Sequence, residues 1–385
     1  MAPTRRRRGC SSAALAAAVC VLAASVSPAE ARVPQGIYAG SDVAWIDPDT
    51  PEDAREYHVP SGPFTFGTGK NSTYKLIFSD EFEDSHRKFE AGFDAKWTAT
   101  NHRDTTNMGQ HYFLPQAVQV DKGNLIITTS KPKEKYRGAK YVSGSLMSWN
   151  KFCFTGGFIE VRAILPGKWG IPGTWPAIWI MGNLGRAAFL DSQEGMWPWS
   201  YDYCGPWVEE TENIEQRVSA CGNLTDKDDE HSYPERYGLN KHQGRGATEI
   251  DVIEAQIRAR DEPAMISTSL QIRPSLRADL RPASETLPKP GQWYQGLKFG
   301  NFTHINSDYY GEEGLDSISA LTQLDPNSFD SYHLYQLDWS PGPFGYLRWW
   351  MDGNFLFEIP GEALNIWSEG IPPRMIPAEP SYLIL

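Results

Sequence analysis

The segment Glu249-Ile250-Asp251-Val252-Ile253-Glu254 sets three carboxylates among β-branched residues, a composition that predicts a strand. Side chains on a strand alternate between faces. Glu249 and Asp251 therefore share a face, and Glu254 falls on the other. A β-bulge at Val252-Ile253 would reset the alternation and return Glu254 to the first face, and bulges are frequent beside active sites. Three acids in a row on one sheet surface suit glycosidic bond cleavage, in which one carboxylate attacks and another moves the proton. Acids packed that closely do not all ionise, so one keeps its proton. Glu249 is assigned as nucleophile and Glu254 as acid/base, with Asp251 between them hydrogen-bonded to the nucleophile. The same six residues also read as a solvated strand face, or as a Ca²⁺ or Mg²⁺ site, since clustered carboxylates suit hard cations.

Other residues are placed to serve such a row. Trp175, Ala177 and Trp179 share one face of a second strand. Their indoles read as sugar-stacking surfaces or as core. Ser269 and Gln271 share a face in Ile266–Ile272 and are candidates to line the cleft. Arg162 follows Glu160 on an alternating strand and reads as its ion-pair partner, and His333 reads as structural. The chain carries 14 Trp, 17 Tyr and 17 Phe in 385 residues, more rings than a minimal core needs.

The elements that must position these residues are short. Lys75–Phe78, Leu125–Ser130, Phe158–Leu165, Ala177–Met181, Glu249–Ala255, Ile266–Ile272, Tyr332–Trp339 and Tyr346–Met351 alternate with Gly/Pro turn clusters. Many short strands without a long helical pattern indicate an all-β sandwich or barrel. Two stretches read as long irregular insertions, Ala187 to Arg245 and Pro282 to Phe329. The first, which leads into the acid strand, reads as a lid or subsite wall.

Taken together, several stretches resemble glycoside hydrolase family 16. They are Phe78-Ser79-Asp80-Glu81-Phe82, Ser148-Trp149-Asn150-Lys151-Phe152-Cys153-Phe154-Thr155-Gly156-Gly157, Gly173 to Ala187, Trp197-Pro198-Trp199-Ser200-Tyr201-Asp202, Gly244 to Glu254, Ser269-Leu270-Gln271-Ile272 and Trp349-Trp350-Met351-Asp352-Gly353. Within that family they resemble the branch of fungal β-glucan-synthesis-associated proteins. The resemblance implies a concanavalin-A-like jelly roll with the acids on its concave sheet. It implies the same roles for Glu249, Asp251 and Glu254, a β-glucan partner and a place in cell-wall glucan synthesis or remodelling. Relatives without glutamates recognise glucan and do not cleave it, so a non-catalytic glucan-binding scaffold is the alternative.

The N-terminus carries Arg5 to Arg8, an apolar stretch from Ser11 to Val26, and Ala29-Glu30-Ala31. This is the pattern of a secretory signal peptide spanning residues 1–31. Left uncleaved, the stretch would act as a membrane anchor. Residues 32–74 read as an N-terminal extension and 75–385 as the catalytic domain. The closing run Pro380-Ser381-Tyr382-Leu383-Ile384-Leu385 reads as mid-strand, so that domain is expected to be truncated at its C-terminus. The net charge of −12 argues against nucleic acid as a partner. Asn71, Asn223 and Asn301 head glycosylation sequons. Cys204 and Cys221 are expected to form a disulfide, leaving Cys153 a small buried hydrophobe. No Cys/His cluster has zinc spacing and no phosphate loop occurs, so neither a metal nor an organic cofactor is expected.

Overall fold

The computed structural model describes residues 21–24, 45–58, 73–200, 244–276, 295–311, 314–366 and 373–385. In chain order, the strands of the two large sheets are β1 (Val21–Ala24), β2 (Glu56–His58), β3 (Thr73–Phe78), β4 (Thr98–Ala99) and β5 (Leu146–Met147). Then come β6 (Gly157–Ala163), β7 (Ala177–Gly182), β8 (Glu249–Gln256), β9 (Met265–Ile272), β10 (Lys298–Phe299) and β11 (Thr303–Ile305). The last are β12 (Asp316–Gln323), β13 (His333–Ser340), β14 (Tyr346–Met351), β15 (Asn354–Pro360) and β16 (Ser381–Ile384). One sheet runs β10-β15-β14-β13-β6-β1-β3-β2 and the other β11-β12-β9-β8-β7-β16-β5-β4. The fold is a jelly-roll β-sandwich, and its regular elements among the described residues are strands and short 3-10 turns.

The core lies between the sheets. Ile180, Ile250, Val252, Leu270, Ile272 and Ile318 enter it from the acid-bearing sheet. Ile159, Tyr335, Leu337, Leu347, Trp349 and Phe357 meet them from the other. Each buried aliphatic or aromatic side chain contributes roughly 1.5–3 kcal/mol, so this layer fixes which face of β8 is left for the acids. β16 is an interior strand, paired with β7 on one side and β5 on the other. β1 falls inside the stretch read as a leader, and its backbone pairs with β3 and β6.

Two sequence expectations need correction. The stretch from Pro282 to Phe329 is not irregular throughout, because it contains β10, β11 and the eight-residue β12. In β12, Ile318 and Ala320 join the core while Ser317 and Ser319 face away. Serine and threonine outnumber large apolar residues there and mask the alternation. Arg162 does not pair with Glu160. Glu160 accepts the Gln336 amide at 2.6 Å, and the Arg162 guanidinium lies over the Tyr332 ring at 4.0 Å.

Candidate active site

The register shifts in β8 between Asp251 and Glu254. Against β9, Asp251 faces Ser269 and Glu254 faces Ser267. Against β7, Asp251 faces Trp179 and Glu254 faces Ala177. Three residue steps on β8 therefore match two on each neighbour, which is the β-bulge expected at Val252-Ile253. Val252 and Ile253 both enter the core, and the three acids share the opposite face. The Asp251 carbonyl accepts the Trp349 indole N–H from across the core at 2.9 Å, so a polar group next to the bulge is not left unpaired.

Cross-strand partners extend the acid positions into rows. One runs Tyr382, Met181, Glu249, Gln271, Ser317, and a second runs Ile384, Trp179, Asp251, Ser269, Ser319. The floor is bulky on the β7–β16 side and small and hydroxylic on the β9–β12 side.

Both oxygens of Glu249 are held. Trp197 Nε1–H donates to Oε2 at 2.7 Å and Gln271 Nε2–H to Oε1 at 2.6 Å. Asp251 is 1% exposed and accepts the Ser269 hydroxyl. The Glu249 and Asp251 carboxyls lie close enough to perturb one another, so the pair holds one proton and does not ionise fully. Trp175 Nε1–H donates to Glu254 Oε1 at 3.0 Å. Burial, followed by the charges of Asp251 and Glu254, pushes Glu249 well above the ordinary carboxylate range. Burial lifts Asp251 to about 6 against the pull of its hydrogen-bond donors. Burial and then the Asp251 charge lift Glu254 to about 8. At neutral pH Glu254 therefore keeps its proton, and Glu249 and Asp251 share one. N–H and O–H donors bind both Glu249 oxygens, Asp251 Oδ2 and Glu254 Oε1, an arrangement that suits proton transfer.

Trp197 comes from the first insertion, and its neighbours are fastened at the backbone to the residues just before β8 and just after β9. Ala247 N–H donates to the Met196 carbonyl at 2.8 Å, and Arg273 N–H to the Pro198 carbonyl at 3.1 Å. Gly246 makes this approach feasible, since a Cβ there would stand 1.7 Å from the Trp199 carbonyl oxygen. Gly246→Ala should force the two segments apart and destabilise the protein by about 1–3 kcal/mol, as overpacking does. Chemical denaturation measures this, and an unchanged midpoint would show that the contact is dispensable. Trp197→Phe keeps an aromatic ring and removes the N–H. A ¹³C NMR titration of Glu249 should then show its carboxyl moved further upward, because a donor favouring the anion is lost. An unmoved titration would mean that Trp197 does not tune this carboxylate.

Family-wide comparison places the chain. Residues 32–385 match the model of the family described as β-glucan synthesis-associated protein SKN1/KRE6/Sbg1. The β-glucan synthesis-associated protein SKN1 of Candida albicans is 33% identical over 349 residues, covering 88% of this chain and 44% of the relative. KRE6 of Saccharomyces cerevisiae is 31% identical over 361 residues, covering 88% and 45%. The chain belongs to the SKN1/KRE6/Sbg1 family. It spans somewhat under half the length of these curated relatives. Among solved structures, the endo-β-1,3-glucanase of Pyrococcus furiosus aligns at a TM-score of 0.44 and 19% identity, covering 81% of this chain and 83% of that one.

Within this family member, the sequence-selected residues fall as follows. Glu249, Asp251, Glu254, Trp179, Ser269 and Gln271 lie on one sheet face, and Trp175 reaches it from just before β7 while staying 53% exposed. Trp179 also packs against an apolar cluster formed by Met147, Met181, Ala187, Ala247, Tyr382 and Ile384. In the sequence Trp197 stands out as part of an insertion and of one family-like stretch, and no local signal ties it to Glu249. Asp80 is structural, paired with Arg87 at 2.6 Å and accepting Trp97 Nε1–H at 2.7 Å. His333 is likewise held by Asp352 at 2.6 Å. Asn301 occupies an exposed turn, while Asn71 and Asn223 lie outside the described residues. The expectation of a free Cys153 is corrected, because this cysteine is disulfide-bonded. The other four cysteines, including Cys204 and Cys221, lie outside the described residues. Among the described residues no helix is long and apolar enough to cross a membrane.

Proposed function

We propose that this chain is a retaining β-glucan-active glycosidase or transglycosylase serving cell-wall glucan synthesis or remodelling. The observation that carries the reading is the bulged strand, which sets a carboxylate held by two donors beside a carboxyl that keeps its proton. In the first step Glu254 gives its proton to the glycosidic oxygen as the C–O bond breaks. Glu249 closes on the anomeric carbon to form a glycosyl ester, and the proton shared with Asp251 resides on Asp251. In the second step the ionised Glu254 takes a proton from a water or a sugar hydroxyl. The resulting oxygen nucleophile displaces Glu249, so configuration is retained overall.

The relatives' names link them to β-glucan synthesis, which favours a sugar hydroxyl over water as the acceptor. The same names support the second reading, a glucan-binding scaffold without turnover. Incubation with laminarin and with a β-1,6-glucan, with and without EDTA, separates the readings. EDTA-insensitive appearance of shorter or longer chains is expected. Tight glucan binding with no change in chain length would leave only the scaffold. We place the protein in the secretory route, with cleavage after Ala31 on the strength of the leader pattern, a step that would remove β1 from between β3 and β6. N-terminal sequencing of secreted material should begin at Arg32.

A further inference from the structure

Arg186 has no role in the chemistry above, yet its surroundings are unusual for an arginine. Its guanidinium lies 3.9 Å from the Phe189 ring centre and 4.8 Å from that of Trp149. The His102 ring stacks on Phe189 at 4.3 Å and 24°. The Arg186 backbone is fixed from below, its carbonyl accepting the Gln193 amide at 2.8 Å and Phe189 N–H at 3.1 Å. Among the described residues no carboxylate pairs with the guanidinium, and its buried Nε has no hydrogen-bond partner. A cation held between aromatic faces is well placed, but its N–H donors still need acceptors. Beside it, Asn183 and Asn150 exchange hydrogen bonds at 3.0 and 3.1 Å.

The position of the cluster points to the acceptor. Ala187 N–H donates to the Tyr382 hydroxyl at 2.8 Å. Tyr382 faces Met181, which faces Glu249. Arg186 therefore stands over β16, two interstrand steps from the nucleophile strand, or roughly 10 Å. Trp149 follows β5, one strand further along the same row. A polymer crossing the strands at Glu249 would next reach these rings. Phe189 is already covered by the guanidinium and by His102, so these rings hold Arg186 in place, and the planar guanidinium fork suits a pair of neighbouring sugar hydroxyls. The acidic chain, with net charge −12, disfavours an anionic glycan.

We propose that Arg186, with Trp149, Phe189 and His102, forms a remote subsite that holds a neutral glucan residue beyond the one being cleaved. The proposal rests on the glucan-active reading. Binding is to be measured by calorimetry in the Glu249→Gln background, using laminaribiose, laminarihexaose and the β-1,6-linked oligomers of the same lengths. Arg186→Met should weaken the longer oligomer of the preferred linkage about tenfold, the usual scale for a hydrogen bond from a charged group. Binding of the disaccharide should change less than about twofold, because two sugars span only about the 10 Å to the subsite and end at its edge. In the Glu249→Gln background with Arg186 intact, laminarihexaose or its β-1,6 counterpart should protect Arg186 from phenylglyoxal, as read by peptide mass mapping. Equal weakening of both lengths, or unprotected Arg186 on a chain that binds the longer oligomer, would overturn the subsite and leave the catalytic reading standing. Absence of binding by the parent to every oligomer would sink both.

Discussion

Glu249→Gln should lower turnover of polymeric β-glucan by at least about 10,000-fold, because the covalent step loses its nucleophile. The amide is close in shape to the carboxylate, so the Trp197 and Gln271 contacts persist in part and the fold survives. The more informative variant is Glu249→Ala. It opens a space beside the anomeric carbon, bounded by the Trp197 indole N–H and the Gln271 amide that normally hold the carboxylate. Those donors suit a small anion. With azide and an activated glycosyl donor, Glu249→Ala should yield a glycosyl azide of inverted configuration, since only one displacement then occurs. Asp251→Asn should be milder than either, because the asparagine amide can still donate to Glu249 while Ser269 still donates to the side-chain oxygen. Wild-type rates in Glu249→Ala on polymeric glucan would remove Glu249 from the mechanism. Rescue by azide with retained configuration would place the nucleophile elsewhere.

The acid row was legible in the sequence because two local signals agreed. β-branched residues around Glu249, Asp251 and Glu254 indicated a strand, and the odd spacing to Glu254 meant that a bulge would bring all three acids to one face. Both are properties of six consecutive residues. β7 and β9 were legible for the same reason, so the facing rows of Trp179, Ser269 and Gln271 followed from alternation. β12 was not, because Asp316-Ser317-Ile318-Ser319-Ala320-Leu321 carries small polar residues on the face turned from the core. Their small size leaves room over the floor beside the acids, so the feature that hid the strand is also part of the site. The contact from Trp197 to Glu249 spans 52 residues and depends on where Gly246 lets two backbones meet. No periodicity encodes that approach. Cys153 was misread because its strand-like neighbours Phe152 and Phe154 suggested burial, and burial by itself does not tell a thiol from a disulfide.

Replacing Glu254 with glutamine should make the protein more stable in mild alkali and less active at every pH. In the folded protein Glu254 titrates near 8, whereas in the unfolded chain a glutamate titrates near 4.3. Between those values the unfolded state releases a proton that the folded state retains. Stability from this group is therefore full below the unfolded value and falls as pH rises to about 8, by up to about 1.4 kcal/mol per pH unit. Glu249 and Asp251, also shifted upward, act in the same direction, as do the buried Asp338 and Glu160 elsewhere. The wild-type curve thus sums several groups, and the difference between wild type and Glu254→Gln isolates one. The side-chain oxygen of the introduced glutamine can still accept the Trp175 indole N–H, so the variant loses the titration and keeps the contact. Thermal melts from pH 5 to 9 should converge at the acid end and diverge in favour of the variant toward pH 8. Turnover of unactivated glucan should fall by about 100- to 10,000-fold, the usual share of general acid catalysis, and substrates with good leaving groups should suffer least. In the wild type, kcat/KM should decline as pH rises through about 8, when the acid loses its proton. Melting curves whose difference does not change with pH would mean that Glu254 is ionised in the folded protein at neutral pH, and the acid would have to be sought in another carboxyl of the row.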